Sequence, residues 1–230
     1  VVHVENLLLQ ESVTMNTGRL DVWRGLSALA LLGGFGSAVA AEPNFNYNAV
    51  TVSYVGVSLD ENLAVPIGTP SDGFAVHDSL SGVALSASVQ AADNLFIGVG
   101  VKQVSSSGLG TEIEQNDLAL GLGYVIPAGL ATDVVVSGEL LRVKAEACNR
   151  FACVNESTIG YGFTAGARHW LARSVEVNGS LSTARLGEFD STTSLGLGAT
   201  YWLNGHSSAK LQLGFGTDST VATIGYRFAF

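Results

Sequence analysis

Three histidines stand beside groups that could do acid–base or nucleophilic chemistry. His77 precedes Asp78 and Ser79, His206 precedes Ser207, and His169 follows Arg168. A serine nucleophile needs its base within hydrogen-bond reach and a third group to orient that base. In an extended chain successive side chains point to opposite faces, so His77 and Asp78 diverge. No hydrolase motif surrounds any of the three, and the reading as a lipid-modifying enzyme rests on residue types alone. The run Gly160-Tyr161-Gly162-Phe163-Thr164-Ala165-Gly166 has the wrong spacing for a dinucleotide loop, and no helix signal follows it. Nothing in the chain calls for a cofactor.

A second group of reactive types is more orderly. Lys102, Asp133, Glu139, Arg168, Glu176, Lys210 and Arg227 each lie in a stretch where apolar residues alternate with small or polar ones, and each falls on the polar parity. Leu95, Ile97, Val99 and Val101 alternate with Phe96, Gly98, Gly100 and Lys102; Leu118, Leu120, Leu122 and Tyr124 alternate with Ala119, Gly121 and Gly123. Period two is the signature of β-strands. Ten such stretches can be drawn, at 47–57, 79–91, 94–104, 116–126, 132–144, 158–170, 174–185, 192–203, 208–216 and 219–230. The connections at 91–94, 127–131, 171–173 and 204–207 are tight. Those at 58–78, 105–115 and 145–157 are long.

The final stretch decides which solvent the apolar parity meets. From Ala222 to Phe230 alternate residues are apolar or aromatic, with Tyr226, Phe228 and Phe230 on one face. Such a strand is an aggregation hazard in water but suits a closed barrel in lipid. Here the chain resembles the bacterial outer-membrane β-barrel proteins, by pattern, and is similar to the small barrels of the OmpA transmembrane-domain and OmpX sort. The resemblance implies an all-β, antiparallel up-and-down transmembrane β-barrel in the bacterial outer membrane. Ten strands are expected, or eight if two short stretches form a flap. It also implies that Tyr226, Phe228 and Phe230 form the signal read by the barrel-assembly machinery.

The other end agrees with export. Met15, Arg19 and Arg24 precede an apolar run from Leu26 to Val39 that closes on Ser37-Ala38-Val39-Ala40-Ala41. A basic start, a short greasy core and small residues at the exit describe a signal peptide over residues 15–41. Residues 1–14 read as a translated upstream extension, leaving 42–230 as one barrel domain. Composition fits: hydrophobic residues are 47% of the chain and mean hydropathy is +0.34, with 28 glycines and 4 prolines. A net charge of −9 argues against nucleic-acid binding, which needs a basic footprint.

Inside a barrel, the polar parity becomes a lumen lined by Lys102, Asp133, Glu139, Arg168, Glu176, Lys210 and Arg227. Asp133, Arg168 and Glu176 all lie near short turns and should share a height. They would form either a selectivity filter or a polar plug that fixes register. Lys210 and Arg227, with no carboxylate near in sequence, would give the periplasmic mouth a basic patch. The many small inward residues leave room for a thin aqueous path.

Cys148 and Cys153 flank Asn149-Arg150-Phe151-Ala152; in an exported protein they read as a disulfide pinning a loop tip, with free thiols as the alternative. Asp60, Glu61, Asp72 and Asp78, then Glu112, Glu114 and Asp117, gather in the outer loops, solvated or sharing divalent cations with lipopolysaccharide phosphates. Two functions follow. One is a structural or narrow-pore, porin-like barrel. The other is a surface protein that contacts lipopolysaccharide, a host or another cell-surface ligand through loops 58–78 and 145–157.

Overall fold

The computed structural model describes residues 47–67, 73–187 and 191–230; the expected signal peptide and upstream extension lie outside them. Ten strands run in chain order: β1 Ala49–Pro66, β2 Phe74–Ala92, β3 Leu95–Gly108, β4 Thr111–Pro127, β5 Thr132–Cys148, β6 Cys153–Ala172, β7 Val175–Leu186, β8 Thr192–Trp202, β9 Ser207–Gly216 and β10 Ser219–Ala229. Each pairs antiparallel with its neighbours in sequence, and β1 pairs with β10 from Ala49↔Ala229 to Leu59↔Ser219. The sheet is a closed cylinder of ten strands. Closure leaves no unpaired edge, the condition a sheet must meet to cross lipid.

The apolar parity faces outward. Val52, Leu85, Ile97, Leu120, Leu140, Phe163, Leu181, Leu197, Leu211 and Ile224 are all exposed. Tyr124, Tyr201, Tyr226 and Phe228 lie on this outer surface near the tight turns, where an aromatic girdle meets the membrane–water boundary. The tight turns therefore mark the periplasmic end.

At the other end the structure departs from the expected loops. Most of 58–78, 105–115 and 145–157 is strand: β1 and β2 pair out to Pro66↔Phe74, β3 and β4 to Gly108↔Thr111, and β5 and β6 to Cys148↔Cys153. The alternation persists there with its faces exchanged, which hides it from a search for outward apolar residues. On β3 the outward series Ile97, Val99, Val101 continues as Gln103 and Ser105, while the inward series Gly98, Gly100, Lys102 continues as buried Val104. On β5 outward Leu140 gives way to Arg142 and Lys144, and inward Glu139 to buried Leu141, Val143 and Ala145. Within lipid the barrel is greasy outside; above the lipid it is built like a water-soluble protein with a dry interior.

Candidate functional site

The lumen is layered. At the periplasmic end Tyr47, just before β1, tucks inside the barrel at 2% exposure and stacks on Phe96 with ring centroids 5.1 Å apart. Its hydroxyl donates to Asp133 Oδ2 at 3.2 Å. Asp133 sits directly opposite Arg168 in the β5–β6 register, and Arg168 Nε donates to Glu176 Oε1 at 2.9 Å. Two carboxylates thus flank one guanidinium, all three side chains nearly without solvent. The Phe96 ring lies over Gly123, where any Cβ would collide with it.

Lys210 and Arg227 extend this layer. Both are buried, and Glu176 lies close enough to interact electrostatically with each, while the Arg227 guanidinium sits 5.4 Å from the Trp202 ring centroid. Arg168 and Arg227 lie within the same range of Lys210, so the cations expected as a patch at the periplasmic mouth gather inside the barrel around Glu176. The inward parity of β9 and β10 carries Lys210 and Arg227 into the barrel toward a carboxylate contributed by β7, a proximity that sequence separation conceals.

Higher up stands a second charged group. Lys102 Nζ pairs with Asp117 Oδ2 at 2.6 Å, and Gln115 Nε2 donates to Asp117 Oδ1 at 2.8 Å. Asp117 was expected among the outer-loop acids, but it belongs to the inward parity of β4, directly opposite Lys102. Glu139 is within electrostatic range of Lys102 and leans over Gly162, whose missing side chain makes room for the carboxylate. Between the layers the inward wall is half-buried Ser86, Ser137, Thr164, Asn178, Ser180 and Gln212.

Above Lys102 hydrocarbon lines the lumen on the side of β10 and β1 to β5. Val55, Val57, Leu63, Val104, Ile113 and Val221, from four strands, form one buried cluster. Leu141, Val143 and Leu186 form another beside it. On β10 and β1 to β5 the inward residues at this level turn apolar, while β8 and β9 keep the small inward residues Ser194, Gly196, Gly214 and Gly216. Over the cluster, His77 is 3% exposed and bonded through Nδ1 to Ser106 Oγ (3.0 Å) and through Nε2 to Thr111 Oγ1 (2.9 Å). Burial lowers its pKa below the usual histidine value. Asp78 is exposed on the opposite face, where it accepts a hydrogen bond from Ser79, so His77 has two hydroxyls beside it and no carboxylate from its own strand orienting it.

Cys148 and Cys153 are joined as a disulfide at the β5–β6 tip. That tip crosses the mouth: Asn149 Nδ2 donates to the Pro66 carbonyl at 3.0 Å, and Ala147 packs on the apolar cluster. Arg150 lies 5.6 Å from the exposed Phe151 ring. Among the described residues, the outer acids do not converge into a carboxylate cage for a cation.

No family model matches this chain, and no curated protein matches it. Solved structures do. The translocator domain of the autotransporter NalP from Neisseria meningitidis superposes with a TM-score of 0.50 at 9% identity, over 94% of this chain and 98% of that one. The fold is that of an outer-membrane β-barrel. An outer-membrane channel from Pseudomonas putida F1 gives 0.48 at 13% identity, over 86% of this chain and 98% of that one. Ail, the attachment invasion locus protein of Yersinia pestis, gives 0.43 at 11% identity, over 80% and 99%. Likeness at such identity conveys architecture and carries no ligand or activity across. With its greasy outer belt and closed edges, this barrel resides in the bacterial outer membrane. Tyr226, Phe228 and Phe230 are exposed on β10 and its end, facing outward at the periplasmic side.

Proposed function

We propose that this barrel is a closed structural anchor in the outer membrane, holding a rigid extracellular β-crown, rather than an open diffusion pore. The observation that supports this reading is the buried apolar cluster inside the barrel above Lys102, from Val55 and Val57 on β1 to Val104, Ile113 and Val221. Ions do not cross a hydrocarbon layer without a large desolvation cost. Below it the charges of the lumen serve as a paired plug that fixes register. The test is conductance of the refolded chain in planar bilayers: silence at physiological salt is expected, and steady, reproducible steps would overturn the reading.

A second reading, surface interaction, is favoured by the Asn149–Pro66 bond. It joins the tips of 58–78 and 145–157 into one surface that displays Arg150 and Phe151. Replacing 149–152 with a two-residue turn should reduce binding of whole cells to a ligand surface. Unchanged binding across such assays removes this role from the tip.

A further inference from the structure

The described cations divide cleanly between the two surfaces of the barrel. Lys102, Arg168, Lys210 and Arg227 are buried inside, and Arg173 lies at a periplasmic turn. Every other described cation, Arg142, Lys144, Arg150 and Arg185, is exposed on β5–β7 or the β5–β6 tip, toward the extracellular end. On β1, β2 and β4 the exposed or half-exposed charges at this end are acidic: Asp60, Glu61, Asp78, Glu112 and Glu114. The exposed cations of the crown therefore lie on one side, where Glu146 and Glu156 are the accompanying carboxylates.

Three of these cations occupy a particular level. Arg142 and Lys144 are the first outward residues above Leu140 on β5, and Arg185 stands above Leu181 and Thr183 on β7. Between them β6 presents Ile159 and Tyr161, which pair in register with Arg142 and Arg185. Strand spacing and rise put the two arginine backbones about 12 Å apart, within mutual reach of two long side chains. Arg142 Nε donates to Ser157 Oγ at 3.3 Å, and Lys144 Nζ meets Glu146 at 3.4 Å, both in the open. Arg185 has no carboxylate partner among the described residues. Guanidinium groups match phosphate oxygens with two parallel hydrogen bonds. Cations directly over an exposed apolar belt meet phosphates only where acyl chains lie below them, which is the arrangement of a phosphorylated glycolipid in the outer leaflet.

We propose that the outward face of β5–β7 binds the phosphate groups of outer-leaflet lipopolysaccharide through Arg142, Arg185 and Lys144, with Leu140, Ile159 and Tyr161 against its acyl chains. This rests on the membrane placement read above. The acidic face of β1–β4 repels the same headgroup, so the lipid is held on one side of the barrel only.

The test uses the refolded full chain in nanodiscs of zwitterionic lipid, with chelator present to remove bridging divalent ions. The probes are bisphosphorylated lipid A and its dephosphorylated form. Substituting Arg142→Gln, Lys144→Gln and Arg185→Gln together should weaken binding of phosphorylated lipid A at least roughly tenfold, since each interfacial cation contributes severalfold. Arg173→Gln should leave it unchanged, as should inorganic phosphate added as competitor. Equal binding by the triple variant, equal binding of dephosphorylated lipid A, or full displacement by inorganic phosphate overturns the proposal. Heat-modified gel mobility confirms that each variant is folded. Conductance, measured on the same preparations, reports separately on whether the barrel is closed.

Discussion

Asn149 and Pro66 lie at the tips of hairpins rooted in different parts of the cylinder, yet the Asn149 side-chain amide reaches the Pro66 carbonyl at 3.0 Å. The β5–β6 tip thereby spans the mouth, and its turn is held by the Cys148–Cys153 bridge and by Asn149 Oδ1, which accepts from the amides of Phe151 and Ala152. Asn149 thus serves its own turn and the opposite rim at once. Removing it should release both.

Replacing Cys148 and Cys153 together by serine should lower stability toward denaturant by about 2 kcal/mol, the low end for a disulfide, because the ring it closes is small. Proteolysis confined to 145–157 should accelerate while the barrel below stays resistant. Conductance should remain nil, since the apolar cluster beneath the tip is intact. A barrel that conducts once this bridge is removed would assign the seal to the tip instead.

Arg168 answers two buried carboxylates, Asp133 across the β5–β6 register and Glu176 by direct hydrogen bond. Arg168→Ala leaves both in place without that guanidinium, a change that costs about 3–5 kcal/mol when a buried ion loses its partner. Combining it with Glu176→Gln should cost less than the two single changes summed, because the second removes one orphaned charge. Urea unfolding in lipid vesicles measures the cycle; simple additivity would show that the two groups act independently.

The transmembrane part of this architecture was legible because lipid imposes a strict rule: every outward residue over ten or so positions must be apolar. Leu118, Leu120, Leu122 and Tyr124 obey it, and their intervening glycines mark the lumen. The crown was not legible for the opposite reason. Past Val101 and Leu140 the outside becomes water, so Gln103, Ser105, Arg142 and Lys144 read as loop although they continue the same strands. Asp117 was misassigned with them, although the parity of Gly121 and Gly123 already pointed it inward toward Lys102. Proximities around the cylinder, such as Tyr47 to Asp133 or Glu176 to Arg227, depend on register across strands, which no local pattern encodes.

The Lys102–Asp117 pair tests whether the upper charged layer serves structure alone. Asp117→Asn should destabilise the fold by a few kcal/mol, roughly 3, by removing the carboxylate that meets the buried Lys102 ammonium at 2.6 Å. Adding Lys102→Met should recover most of that loss, because a hydrophobic side chain of similar length needs no counter-charge. Failure of the second substitution to rescue folding in a refolding-yield and urea-midpoint comparison would mean the ammonium is required for something beyond pairing.

Val104 and Ile113 are fully buried in the apolar cluster of the upper lumen. Val104→Ser together with Ile113→Ser shortens two inward side chains and gives water hydrogen-bonding partners within the seal. The expected outcome is a folded barrel, weakened by several kcal/mol from lost burial and the cavity left behind, that now passes small ions at low conductance. A variant that folds and stays silent would place the barrier in another layer.

His77 gives the crown a pH dependence with a definite sign. Its ring is buried above the apolar cluster between the hydroxyls of Ser106 and Thr111, and burial lowers its pKa in the folded chain, with the outward Asp78 opposing weakly. The unfolded hairpin, with histidine near 6.5, binds the proton more readily than the folded one. The stabilisation is therefore complete above about pH 6.5 and is lost as pH falls through the lower folded value. Hydrogen exchange of the amides of residues 63–65, 75–77 and 106–113 should accelerate between pH 7.5 and pH 5, beyond the intrinsic change in rate, while the amides of the membrane belt hold. His77→Gln keeps a polar group between the two hydroxyls but cannot take up a proton in this range, so it should flatten the dependence. If acid loosens the His77→Gln crown as much as the parent, the proton acts elsewhere.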